Sequence, residues 1–296
     1  MTSMGFLPRG WLLLALSLVF ACTWASITPG VAEVDLIFPR NESYPPSPLT
    51  PVIFAIQNPG LLSSLEPRIK YSIEQQNVST SDMVSTSGSI ELSKINYTAS
   101  DPYFLYWSTN KLNIEGTFLI AWELKMYNCS HDPESNDLNF EYFGSRRHQS
   151  FFSTKNGTSP PDLVAATEDD TCDQSPAQAV HVPDLLEVPS GQVWGGPTYI
   201  VAPTPTWYTP PYTWGAPSCA ATVDPSPTPS PCNVKIHSSA AASISAALTS
   251  TACANPLRTG LSCPTPSSEN AASMGQLPHE RPWILAMGML FAYGLV

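Results

Sequence analysis

From Ala32 onward apolar and polar residues alternate: Ala32, Val34, Leu36 and Phe38 fall on one side of an extended backbone, Glu33 and Asp35 on the other. Successive side chains of a strand point to opposite faces, so this run predicts a strand with one face buried and one wet. The same period returns at residues 52–57, 68–74, 84–92, 103–107, 117–127 and 148–154. Within 68–74 the inward set is Ile69, Tyr71 and Ile73, and in the longest run Phe118, Ile120, Trp122, Leu124 and Met126 share one face. Turn formers such as Asn58-Pro59-Gly60, Asp101-Pro102 and Asn156-Gly157 separate the runs. No amphipathic helix long enough to cross a parallel sheet lies between them. The predicted fold class is therefore all-β, an antiparallel immunoglobulin- or fibronectin-like β-sandwich over residues 26–158.

Composition narrows the rest. Charged residues make up 12% of the chain, against about 25% in ordinary domains. The 31 prolines exclude a long helical bundle, because proline removes a backbone donor and breaks helices. A net charge of −11, with Arg146-Arg147 the one adjacent basic pair, argues against a nucleic-acid partner, whose phosphates need clustered cations.

Both ends carry targeting patterns. Residues 11–20 are apolar, follow Arg9 and precede small residues at Thr23 and Ala25, which reads as a secretory signal peptide over 1–25. A membrane span needs about 20 apolar residues, and this stretch falls well short. Residues 283–296 are again apolar and uncharged, behind a polar spacer at 273–282 and the small series Asn270, Ala271 and Ala272. Small triad, spacer and apolar tail form the pattern of a glycosylphosphatidylinositol (GPI) signal. Lipid attachment is expected at Asn270, with residues 271–296 as a propeptide and the membrane as a partner through that lipid.

Of seven cysteines, Cys22 lies in the signal, and Cys129, Cys172, Cys219, Cys232, Cys253 and Cys263 remain. An even number in an oxidising compartment implies disulfides. Several connectivities are open; the favoured one joins Cys129 to Cys172 and pairs the last four among themselves, since the two groups occupy compositionally different regions. No C-x-x-C pair and no H-E-x-x-H spacing occurs, so no metal and no cofactor are expected. Sequons stand at Asn41, Asn77, Asn96, Asn128 and Asn156, all before residue 160, and mark a glycosylated ectodomain. Asn128 is special, because its middle residue is Cys129 and disulfide formation competes with glycan transfer.

Beyond the sandwich, residues 159–217 begin with the acidic group Glu168, Asp169, Asp170 and Asp173, read as a solvated turn rather than glycosidase machinery. Arg146-Arg147 reads as exposed charge before a strand, with dibasic processing as the alternative. Further on, Trp194, Tyr199, Trp207, Tyr208, Tyr212 and Trp214 interleave with prolines. Such a stiff strap either stacks its rings on sugars or buries them against the sandwich. Residues 218–270 are Ser-, Thr-, Pro- and Ala-rich and suit a cysteine-bearing, O-glycosylated stalk. Inside it, the proline-free run 237–251 between Cys232 and Cys253 predicts a short stapled helix.

The opening run from Ala25 through Asn41, ASITPGVAEVDLIFPRN, followed by PVIFAIQNP from Pro51, resembles an uncharacterised family of secreted fungal proteins known only as a domain of unknown function. The likeness covers residues 26–263. It implies a fungal source, and hence a wall of glucan, chitin and mannoprotein, but brings no catalytic residues. No G-x-S-x-G elbow occurs either. The expectation is a non-catalytic, GPI-anchored surface or cell-wall glycoprotein that binds glycan such as β-glucan or serves structurally. The alternative is a carbohydrate-active enzyme.

Overall fold

The structure is a computed structural model that describes residues 29–95, 100–134, 138–188, 193–194, 212–213, 218–222, 226–255 and 260–263. The chain divides into two units, 1–261 and 262–296, and every element named here lies in the first. Along the chain come β1 (Gly30–Phe38), β2 (Ser43–Tyr44), β3 (Thr50–Gln57), the one-turn helix α1 (Pro59–Leu62), β4 (Arg68–Gln75), β5 (Ser85–Glu91) and β6 (Tyr103–Thr109). They are followed by β7 (Gly116–His131), β8 (Leu138–Gly144), β9 (His148–Thr154), β10 (Ala177–Val182), β11 (Leu185–Glu187), β12 (Val193–Trp194), β13 (Tyr212–Thr213), β14 (Ser218–Ala220) and helix α2 (Ser238–Cys253). All seven alternating runs form strands. The turn at Asn58-Pro59-Gly60 works through Asn58 in the left-handed region, φ 48°, and Pro59, whose fixed φ starts α1.

Strands β10, β1, β3 and β6 form one antiparallel sheet, in that order. The second sheet runs β2, β9, β7, β4, β5, with β8 also on β7. Its pairings are antiparallel except for β2 with β9. The sheets face each other as the predicted sandwich. Phe54 of the first meets Trp122 of the second edge to face at 5.2 Å, and Trp107 lies 4.7 Å from Tyr71. Phe118, Ile120, Trp122, Leu124 and Met126 are all buried, as their spacing predicts.

Strands β8 and β9 lie end to end along one edge of β7. Lys125 opposes Gly144 and Trp122 opposes His148, so Glu123 and Leu124 face three residues, Ser145, Arg146 and Arg147. That is a β-bulge. Ser145 pins it, donating its N–H to the Leu124 carbonyl (2.8 Å) and accepting the Leu124 N–H on Oγ (2.9 Å). The two arginines are exposed and sit in the bulge between the paired strands β8 and β9.

The sandwich does not end at residue 158, and residues 218–253 are not an extended stalk. Strand β10 pairs along β1, and Val234, Ile236, Ile244 and Leu248 belong to the same apolar core as the strands. The cause lies in β1, whose second face is buried instead of wet, Glu33 and Asp35 included. The outer face of the four-stranded sheet also carries Ile53 and Ala55, which are apolar and need covering. Residues 226–253 supply the third layer. Alanine-rich sequence favours helix, and Ile244, Leu248 and Ala252, four apart, give α2 its buried stripe.

The disulfides follow this layering rather than sequence neighbourhood. Cys129 is bonded to Cys219 and Cys172 to Cys232, with Cα–Cα distances of 6.0 and 5.0 Å. The expected Cys129–Cys172 bond is therefore incorrect, as is pairing confined to the last four. Cys129 ends β7 where β14 crosses it, while Cys172 sits in a short turn packed on the turn at 231–233. Cys253 and Cys263 are each disulfide-bonded as well.

Candidate functional site

Asn41, Asn77 and Asn156 are exposed, whereas Asn128 is half-buried within β7 opposite Glu141, next to the bonded Cys129. Asn96 and the lipid-attachment position Asn270 lie outside the described residues. Of the aromatic strap, Trp194 of β12 pairs with Tyr212 of β13 along the backbone. Tyr199, Trp207, Tyr208 and Trp214 lie outside the described residues, as do the signal segment and the apolar tail.

An open groove of about 350 Å³ runs where α2 meets β6, between Ser100, Tyr103, Phe104, Leu105 and Tyr106 on one side and Ala240, Ser243 and Ile244 on the other. Strand β6 is the edge of its sheet among the described residues. Phe104 and Tyr106 stand on the outer face because their partners Ala55 and Ile53 do. No lining residue is charged. The groove thus combines aromatic surface with phenol and serine hydroxyls, a set suited to an uncharged polyhydroxylated ligand. No sequence pattern marks it, since its two walls are more than 130 positions apart and one of them lies in a Ser-, Thr- and Ala-rich stretch that reads as stalk.

Glu33 and Asp35 stand side by side on the outer face of β1. They are closed over: Ser230 donates its N–H to both Glu33 carboxylate oxygens at 2.8 Å, and Gln57 donates Nε2–H to Asp35 Oδ2 at 2.9 Å and to the Ser230 carbonyl at 3.3 Å. Burial, reinforced by the hydrogen bond and like charge of Glu33 and opposed by Gln57, pushes the Asp35 carboxyl up to about 9. At neutral pH it holds its proton.

The other perturbed groups are structural. Burial raises the Tyr44 and Tyr71 phenols. Burial lowers His148, with Gln178, 3.2 Å away, pulling the other way and Arg146 adding to the depression. Arg40 is buried and donates to the carbonyls of Ala166 and Thr171 and to Ser175 Oγ, tying the acidic segment down. Asp169 of that segment pairs with Lys235 at 2.5 Å, as a surface contact of the third layer. No group of three or more potential metal ligands occurs among the described residues.

Fold and site together define a disulfide-closed, all-β domain of the kind that matures in an oxidising compartment. The sequence model of a family described as a domain of unknown function (DUF7136) matches residues 27–263, and the chain belongs to that family. No curated protein and no solved structure matches it.

Proposed function

We propose that this protein is a secreted fungal surface glycoprotein, held at the outer side of the plasma membrane or in the wall by a GPI lipid on Asn270. Its domain binds neutral glycan and does not act as an enzyme. The observation that carries this reading is the uncharged groove between β6 and α2, lined by the outer-face rings of Phe104 and Tyr106 and by Ser243 of α2. Ring faces stack on the C–H faces of sugars, and hydroxyls match sugar hydroxyls. An uncharged wall polymer such as β-glucan is not repelled by a chain of net charge −11.

The enzyme reading would require an open pair of carboxyls flanking a substrate. The adjacent pair Glu33 and Asp35 is sealed beneath Ser230, which argues against that use. The surface location is supported by the small-residue, spacer and apolar pattern of residues 270–296, by the sequons and by the disulfides. A glycan array with the purified ectodomain tests the binding reading. Neutral β-linked glucose oligomers should bind and Ser243→Trp, which fills the groove, should abolish the signal. A blank array, or a preference for acidic glycans, would overturn it.

A further inference from the structure

An outer-face pair of carboxyls on a strand is ordinarily wet, yet here Glu33 is 5% exposed and Asp35 fully buried. What closes over them is the segment 226–253, through Ser230. We propose that Glu33 and Asp35 form a proton-dependent clasp that holds the C-terminal cover, residues 226–253, on the four-stranded sheet, so that the cover closes in acid and loosens as pH rises.

The geometry is that of a shared lock. Glu33 belongs to β1, Gln57 to β3 and Ser230 to the cover, and each is bonded to another member: Ser230 N–H to Glu33, Gln57 Nε2–H to the Ser230 carbonyl and to Asp35. Two carboxylates this close and this dry cannot both be charged, since their repulsion is unscreened and neither is hydrated. A proton on the pair removes the repulsion and leaves Glu33 to accept the Ser230 N–H.

Among the described residues no cation offsets the second charge: the buried Arg40 is committed to the Ala166 and Thr171 carbonyls and to Ser175 Oγ. Around the pair, β10 contributes His181, opposite Val31, and the turn at 172–174 contributes Asp173. The cover contributes Lys235 and His237, and β3 and α2 contribute no ionisable group. Lys235 is committed to the Thr167 carbonyl and Asp169. Glu33 is the one charge that acts on Asp35, and burial is the larger cause of its retained proton.

When the cover lifts, both carboxyls meet water and Asp35 returns to the ordinary carboxylate range near 3.8. The closed state therefore holds one proton more than the open state between that value and about 9. Opening becomes easier with rising pH across that window. The Cys172–Cys232 bond keeps the loosened cover tethered. Helix α2 is also one wall of the groove, so loosening changes that wall, but the clasp operates whether or not the groove binds glycan.

The test is hydrogen exchange of the disulfide-intact full chain, corrected for intrinsic exchange, at about pH 5 and pH 8. The opening equilibrium read at Val234 and Ile236 should rise toward tenfold per pH unit, about a thousandfold over the interval, while the β7 amides near Ile120 stay protected. Asp35→Asn should flatten that dependence. Equal opening of the cover at both pH values, an undiminished dependence in Asp35→Asn, or loss of β7 protection in parallel with the cover would each overturn the clasp. Should Asp35→Asn not fold, the Asp35 carboxyl carbon followed by NMR decides: protonated at pH 7 supports the clasp, ionised at pH 7 refutes it.

Discussion

The imidazole of His148 lies over the indole of Trp122, centroids 4.6 Å apart and planes 22° apart, because the two residues stand opposite each other on β9 and β7. Trp122 also meets Phe54 of the facing sheet, so it joins the two sheets at the centre of the core. Replacing it with Ala should cost about 3 to 5 kcal/mol of unfolding free energy, measured in urea, since the space cannot be refilled from either side. A cost below about 1 kcal/mol would mean that the core is not built around it.

His148 makes stability depend on pH from the acid side. Burial holds it below its ordinary value, so the folded state disfavours its protonation. Its contribution is fully present above the unfolded value near 6.5 and is lost as pH falls through that value toward the folded one. Wild type should lose ground to His148→Gln as pH is lowered below about 6.5. Parallel unfolding curves at all pH values would remove His148 from the account.

The cross-links give a mapping test. Non-reducing peptide maps should show Cys129 joined to Cys219 and Cys172 to Cys232. Replacing Cys129 and Cys219 together by Ala should cost about 4.6 kcal/mol in the chain-entropy model for a loop of this size. A peptide joining Cys129 to Cys172 would contradict the layering of β14 on β7.

Period-two alternation made the sandwich legible, because strands with one buried face write their geometry into sequence. The third layer was not legible for the converse reason. Its burial rests on a few residues, Val234, Ile236, Ile244 and Leu248, scattered through a Ser-, Thr- and Ala-rich stretch whose bulk reads as stalk. Strand β10 escaped because Ala177–Val182 is short and mixes Ala and Gln with valine. Strand β8 did leave a trace, Leu138, Phe140 and Tyr142 at alternate positions, so the signal was present in the chain. The groove and the acid pair depend on that third layer. A carboxyl pair at Glu33 and Asp35 looks wet in sequence until the cover at Ser230 is known.

The lipid anchor is tested by release. Phosphatidylinositol-specific phospholipase C should free the protein from intact membranes, and the freed chain should end at Asn270. Protein that stays membrane-bound, with peptides from residues 283–296 in its mass spectrum, would contradict the anchor.

The central claim, binding without catalysis at the β6–α2 groove, is tested most directly by retention on insoluble β-glucan with the supernatant assayed for new reducing ends. Wild type should be retained and release no sugar. Tyr106→Ala should lose most of the retention, because each stacked ring contributes on the order of 1 kcal/mol and the groove has few of them. Trp207→Ala and Trp214→Ala should be retained like wild type. Unchanged retention in Tyr106→Ala with loss in the two tryptophan variants would move binding to the aromatic strap, and steady release of reducing ends by wild type would contradict the account outright.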